Sequence, residues 1–351
     1  SGTSATEVTD PVAAVHRLTA SWYSNMAARN HPAALENVRD AIALIRERPE
    51  TDDPRANLHE LLMHSLHHVD RFAEAAEVIE RHHADRDRTD PAWMWIPEAL
   101  HHFWTGEWDA NLAALGSVSR PTDATTLGVM AEVGPSANLI GRGLAAHICQ
   151  LRGDQVAAAR HLDTLRLIPI EGPLEREACV FFLRAEAFEL EHEGNLAAAF
   201  AKLEEISLDP EFAPLQTPYK WLPYLLSLAR AMADQGKIDR VMDAARREAG
   251  RTVGSRGAQM TLYRCQALTL RDPDLAVRAA AYYREVGRHL ELAETLAEAA
   301  ELFAEGDRPD EARAAMTESV ELYRGFGAHW WAEDLKSRLT NLNAVTYRSA
   351  S

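Results

Sequence analysis

Apolar residues recur along the chain at steps of three and four. In AAAFAKLEEI (197–206) and ELAETLAEAAELFAEG (291–306), Leu, Ile, Phe and Ala form one stripe and the charged residues take the opposite face. That is the period of a half-buried helix, and β-branched runs are scarce. The stripes are punctuated at Asn30, Asp70, Gly106, Gly153, Gly194, Gly236, Asp272 and Asp307, each ending one apolar run and starting another. Successive spacings of 35 to 47 residues predict a unit of two helices, about 34 residues long, joined by linkers of variable length.

The same chemistry returns at the same distance from each turn. Seven residues before it stand Ala99, Ala146, Ala187, Ala229, Cys265 and Ala300, where a helix must let its partner approach. Five residues after it stand Ala75, Ala158, Ala199, Val277 and Ala312, and two after it Phe72, Trp108, Leu196, Ile238 and Pro309, as apolar plugs. Tyr23, Met63 and Asn111 depart from the scheme. A small residue, a plug and a second small residue in this order resemble the tetratricopeptide repeat. A single hairpin cannot bury its stripe, so stacking is required. The expected fold is all-α, a right-handed superhelix of about eight tetratricopeptide-like helix-turn-helix repeats. Pro-, Gly- and Ser-rich linkers fall at RERPETDDP, RDRTDP, SRPTDATTLGVMAEVGP, LIPIEGP, LDPEFAPLQTP and GRTVGSRG. None separates two compositions, so one domain is expected over 13–339, with tails at 1–12 and 340–351.

Composition agrees with helix: Ala supplies 60 of 351 residues and aromatics only 7%. Lys occurs only at 202, 220, 237 and 336, which leaves 33 of the 37 basic residues as Arg, a bias typical of GC-rich coding. The net charge of −16 would repel a phosphate backbone, so no direct nucleic-acid contact is expected. Cys149, Cys179 and Cys265 are far apart and sit in apolar helical runs, which reads as buried thiols in a reducing compartment. No secretion signal opens the sequence and no apolar run approaches the roughly 18 residues of a membrane span. A cytoplasmic chain, capable of self-association, is expected.

Several chemistries lack their residues. Gly236-Lys237 has no upstream glycines to cradle a phosphate, Gly141-Arg142-Gly143 follows no strand, and Gly134-Pro135-Ser136 lacks the second glycine of a nucleophile elbow. HELLMHSLHH (59–68) puts His64 and His68 one helical turn apart with His67 beside them, a spacing able to chelate a metal. The string is not H-E-x-x-H, and histidine pairs recur at His82-His83 and His101-His102, so a structural role is expected, with no metal and no cofactor. Paired carboxylates such as Glu204-Glu205 fall on polar faces, where solvation is the simpler reading. Trp93, Trp95, Trp104 and Trp108 cluster at core-like spacing.

In a stack of this kind the first helices line the concave face. Residues about thirteen, ten, six, three and two before each turn point inward. Those offsets select Asn57, Glu60, His64 and His67 in the second unit, Trp93 in the third, His147 and Gln150 in the fourth, Arg184 and Glu191 in the fifth, and Arg230 in the sixth. Polar groups converging on one channel suit a small molecule or a peptide. Arg184 and Arg230, from consecutive units, would favour a carboxylate or phosphate. The alternative is that each pairs with a neighbouring acid such as Glu191.

The stretch 282–339 carries a further resemblance, through Tyr323, Gly327, Ala328, Trp331 and Leu335 after an Ala/Glu-rich helix pair. It resembles the last repeats of large LuxR-family regulators of actinomycete type, the signalling-ATPase, maltose-regulon-activator-like group. FWTGEWDANLAAL and AAHICQLRGDQVAAARHL resemble their middle repeats. The resemblance implies a sensor region that binds an effector and passes the result to an attached ATPase and a DNA-binding module, with no catalysis of its own. No Walker loop precedes the repeats here, and TNLNAVTYRSAS after Leu339 is too short for a helix-turn-helix. A stand-alone protein-interaction scaffold is the alternative expectation.

Overall fold

Asp10 accepts a hydrogen bond from the Val12 amide, and Pro11 takes the first helical position, where a missing N–H costs nothing. The first helix therefore starts at Pro11, inside the expected tail. In this computed structural model the described residues are 10–47, 58–84, 95–118, 135–209 and 218–338. The expected tails at 1–9 and 340–351 and most of the linkers, those over 48–57, 85–94, 119–134 and 210–217, lie outside them.

Helices α1 (Pro11–Ala27) and α2 (His31–Glu47) form the first hairpin, and α3 (Leu58–His68) and α4 (Phe72–Ala84) the second. The third pairs α5 (Trp95–Thr105) with α6 (Trp108–Val118), and the fourth α7 (Pro135–Arg152) with α8 (Gln155–Leu165). After a short α9 (Pro173–Ala178), α10 (Val180–His192) pairs with α11 (Leu196–Leu208). A 3-10 turn (Pro218–Trp221) leads into α12 (Leu222–Ala231) and α13 (Gln235–Arg251). Two more pairs follow, α14 (Gly257–Leu270) with α15 (Pro273–Val286) and α16 (His289–Glu305) with α17 (Pro309–Gly325). A last helix, α18, covers 329–338. All regular structure among the described residues is helical, apart from one isolated bridge between Asn30 and Val253.

Each hairpin turns on one left-handed residue: Arg29, Asp70, Gly106, Gly153, Gly194, Ala233, Arg271 and Asp307. The sixth turn lies three residues before Gly236. Asp234 caps α13 by accepting from the Lys237 amide, so Gly236 falls inside the helix and Ala233 carries the positive φ. The first turn centres on Arg29 rather than Asn30, and the seventh likewise on Arg271 rather than Asp272. The shift at the seventh moves the small residue of its second helix to Ala276, which is fully buried, and leaves Val277 43% exposed.

The small residues before the turns, Ala99, Ala146, Ala187, Ala229, Cys265 and Ala300, are all sealed from solvent. Two helices approach closely at Gly143, where a β-carbon would stand 2.5 Å from the Phe182 amide nitrogen. Gly141-Arg142-Gly143 therefore serves the packing of α7: Gly143 against α10, and Gly141 beneath Trp95. Trp95, Trp104 and Trp108 are core residues, and Trp93 lies outside the described residues. One apolar core spans α1 to α4, and a second, larger one runs from Phe72 to Leu335.

Contacts also run far across the chain. Val253 donates to the Arg29 carbonyl at 3.0 Å, and Gly254, at φ +74°, lies against Pro32. Asp70 meets Arg288 (3.0 Å), Tyr282 (2.5 Å) and Ser255 (3.0 Å). Gly106 lies against the Phe326 ring, and Arg152 donates to the Phe326 carbonyl at 2.8 Å. Gly153 lies against Trp330. The turns of the first four hairpins thus rest on the segments that follow hairpins six, seven and eight. A solenoid whose repeats touch only their neighbours would make none of these contacts.

Candidate functional site

Five of the first helices (α7, α10, α12, α14 and α16), with the 3-10 turn, α17 and α18, line a cavity that is partly open to solvent. One face of each helix is presented to it. Six residues before their left-handed turn residues, His147, Phe188, Ser227 and Glu301 take equivalent places in hairpins four, five, six and eight. Arg184 and Ala297 sit ten before, Glu294 thirteen before and Glu191 three before. The cavity has a volume of about 190 Å³. One water needs roughly 10–15 Å³ by that measure, so the space suits a small organic molecule.

Arg184, only 7% exposed, lies with its guanidinium carbon 3.6 Å from the Tyr224 ring centroid, and its sealed Nη1 has no hydrogen-bond partner among the described residues. Glu191 is engaged elsewhere, accepting the Tyr224 hydroxyl at 2.9 Å, so the pairing of Arg184 with Glu191 does not form. Burial, aided by the Arg184 charge, holds the His147 imidazole well below its ordinary pKa and hence neutral. Lys220 holds its Nζ 4.0 Å above the Trp104 ring, with no ion pair among the described residues. Burial, and then the Arg288 charge, push its pKa well down against the pull of Asp70.

The opposite wall is acidic. Glu294, Glu298 and Glu301 follow one another at i, i+4 and i+7 on α16. Arg264 binds Glu298 at 2.6 Å and Glu294 at 3.2 Å. Burial works against the Arg264 charge, but Glu298 and Glu294 outweigh it and hold the guanidinium pKa above its usual value. Glu301 has no ion pair among the described residues, and burial raises its carboxyl, opposed by the charges of Arg338 and Arg230. Glu298 is raised by burial too, despite Arg264.

Of the residues selected from sequence, His147, Arg184 and Glu191 line this cavity together. Arg230 is not among the lining residues, and its charge acts on Glu298 and Glu301. Gln150 is buried and donates to the Ala185 carbonyl at 2.9 Å, tying α7 to α10. Glu60 and His64 face each other at 3.8 Å along α3. His67 stacks on Phe72 and meets His101 at 3.2 Å in the core between hairpins two and three. None of these three reaches the cavity, and Asn57 and Trp93 lie outside the described residues. His68 stacks on His31, and no cluster of three or more metal-ligating side chains occurs among the described residues.

Lys220, Tyr224, Ser227, Arg264, Glu294, Glu298, Glu301 and Trp331 were not selected from sequence. For Glu294 and Glu301 the signal was present, because the inward offsets counted from Asp307 fall on them. Ser227 was hidden by counting from Gly236 instead of Ala233. Lys220 lies in the 3-10 turn, outside any helical register.

No family model matches the chain, and no curated protein matches it. No helix among the described residues is long and apolar enough to cross a membrane.

Proposed function

We propose that this chain is an effector-binding regulatory domain, a tetratricopeptide-like superhelix whose interior cavity takes a small molecule. One observation carries the reading. Arg184 lines the cavity and, among the described residues, its guanidinium has only the Tyr224 and Phe188 rings as partners, and a charged donor left without an acceptor costs about 1–3 kcal/mol or more. A ligand acceptor recovers that cost. The return of hairpins one to four onto the segments after hairpins six to eight supports a superhelix closing after about five hairpins. Such winding surrounds an interior space on most sides. A cavity of about 190 Å³ favours a small molecule over the extended peptide that a scaffold's long trough would hold.

The resemblance of 282–339 to LuxR-family sensor regions supports a regulatory role. In that setting an attached ATPase and DNA-binding module would act on nucleic acid in the cytoplasm, and this chain would not touch it. Ligand regulates only by favouring one curvature of the stack over another. Binding rather than catalysis is the proposed role. Calorimetry with metabolite pools tests it: Arg184→Ala should abolish binding and leave the melting temperature nearly unchanged. Loss of stability with binding intact would make Arg184 structural and place any effector elsewhere.

A further inference from the structure

The acids and bases around the cavity differ in how far they reach the open space. Arg264 exposes 3% of its side chain, whereas Glu294 and Glu298, which it binds, expose 32% and 16%. Arg184 is buried with its charge on the Tyr224 and Phe188 rings, and Lys220 places its ammonium on Trp104, near Arg288 and Asp70. Glu301 is partly exposed and has no ion pair among the described residues. A molecule entering the space therefore meets carboxylate oxygens and aromatic faces rather than a free base.

Three features favour a cation there. Glu294, Glu298 and Glu301 share one face of α16, and among the described residues Arg264 is the single base in ion-pair range of them. That stripe is short of positive charge: burial raises the carboxyls of Glu298 and Glu301 in spite of Arg264, Arg230 and Arg338, and a further cation would favour their ionised forms. The rim, finally, already holds a cation on the same wall. Arg338 stands with its guanidinium carbon 4.9 Å from the Trp331 ring centroid, and its charge acts on Glu301, although Asp334 binds it at 2.7 Å from the solvent side. The Trp331 face and Glu301 together thus accommodate a positive charge.

Size narrows the class. An apolar cavity of about 150 Å³ holds benzene, so a volume of about 190 Å³ suits a ring with a short chain. We propose that the cavity binds a small organic cation, an arylalkylamine or a primary amine of similar size, whose ammonium sits on Glu301 beside Glu298 and whose body lies against Trp331. The assignment rests on the effector reading above and adds the charge of the ligand to it. Arg184 then takes a neutral oxygen of the ligand, such as a hydroxyl, because a carboxylate in the same molecule would face the accessible glutamates.

The test titrates ring-matched probes into the full chain by calorimetry. Tyramine, N-acetyltyramine and hydroxyphenylacetate carry a cation, no charge and an anion on the same body, and benzylamine, phenethylamine and phenylpropylamine, each beside its N-acetyl form, vary the chain length. At least one amine should bind, and its N-acetyl form should bind at least about tenfold more weakly, since one charge-assisted hydrogen bond is worth that much. Hydroxyphenylacetate should bind no better than N-acetyltyramine. Glu301→Gln should lower the affinity for the amine about tenfold and leave that for the acetyl form unchanged. Should that variant melt early, the ranking of the probes in the unaltered chain decides. Equal binding of amine and acetyl form, tighter binding of the anion, undiminished amine affinity in Glu301→Gln, or a panel in which no amine binds overturns the proposal. An anionic or uncharged compound from metabolite pools that binds in an Arg184-dependent way then keeps the effector reading alone. A chain that binds no small molecule from panel or pools overturns both.

Discussion

Asp70 and Arg288 lie 218 positions apart in sequence, yet their side chains meet at 3.0 Å with both sealed from solvent. Asp70 stands at the left-handed turn of the second hairpin and Arg288 immediately before α16. Tyr282 and Ser255 donate to the second carboxylate oxygen, and Arg288 also binds Glu291. This knot fastens the second hairpin to the seventh and eighth.

Because Arg288 serves two buried acids and Asp70 retains two hydroxyl donors, the halves of the pair are unequal. Arg288→Met should cost about 3–5 kcal/mol, as removal of one partner of a buried pair does, and Asp70→Asn clearly less. Urea unfolding ranks the two. Equal losses would mean that Glu291 and Asp70 do not share the guanidinium.

Two glycine replacements should have opposite signs. Gly143→Ala forces a β-carbon against the α10 backbone and should destabilise by about 1–3 kcal/mol. Gly250 lies in α13 with nothing within 4 Å of its would-be β-carbon, so Gly250→Ala should stabilise by up to about 1 kcal/mol. Thermal melts of the pair check both, and a stabilised Gly143→Ala would refute the close approach of α7 and α10.

The register of the seventh hairpin can be tested at adjacent positions. Ala276→Leu should overpack a helix crossing and cost roughly 1–3 kcal/mol, while Val277→Leu on the exposed face should change stability by under about 0.5 kcal/mol. The opposite order would restore Asp272 as the turn centre.

Acid should loosen the protein through buried histidines. Burial, with the Arg29 charge against the pull of Asp70, lowers His31 to about 4. Burial, with His102 opposed by Glu107 and Glu98, does the same for His101. Between the ordinary value near 6.5 and about 4 the unfolded chain takes up protons that the native state refuses. Each histidine's contribution is therefore complete above pH 6.5 and is lost as pH falls to 4, by about 3 kcal/mol at most. Glu298 and Glu301, whose carboxyls are raised, act in the opposite sense and offset part of this loss. Urea midpoints at pH 7.5 and pH 5 should show the loss, and His31→Phe should flatten it. An unchanged slope in that variant would remove His31 from the account.

Local pattern determined the helices and hairpins. The three- and four-residue apolar step, the small residues beside each turn and the inward offsets depend only on helical geometry, which neighbouring residues set by themselves. Where the reading slipped, at Asn30, Gly236 and Asp272, a capping Asn or Asp follows the left-handed residue, and the cap decided where the next helix began. The inward offsets located His147, Arg184 and Glu191 for the same reason.

Tertiary structure alone decided the partners. No periodicity reports that Asp70 will meet Arg288, that Lys220 will lie on Trp104, or that Glu191 will take the Tyr224 hydroxyl and leave Arg184 unmatched. Nor does it show that Glu60, His64 and His67 face away from the cavity that His147 enters. Helical register says which way a residue points from its own axis. What it meets there depends on how far the chain has turned when distant hairpins come back into contact, and that angle is the sum of many small packing choices.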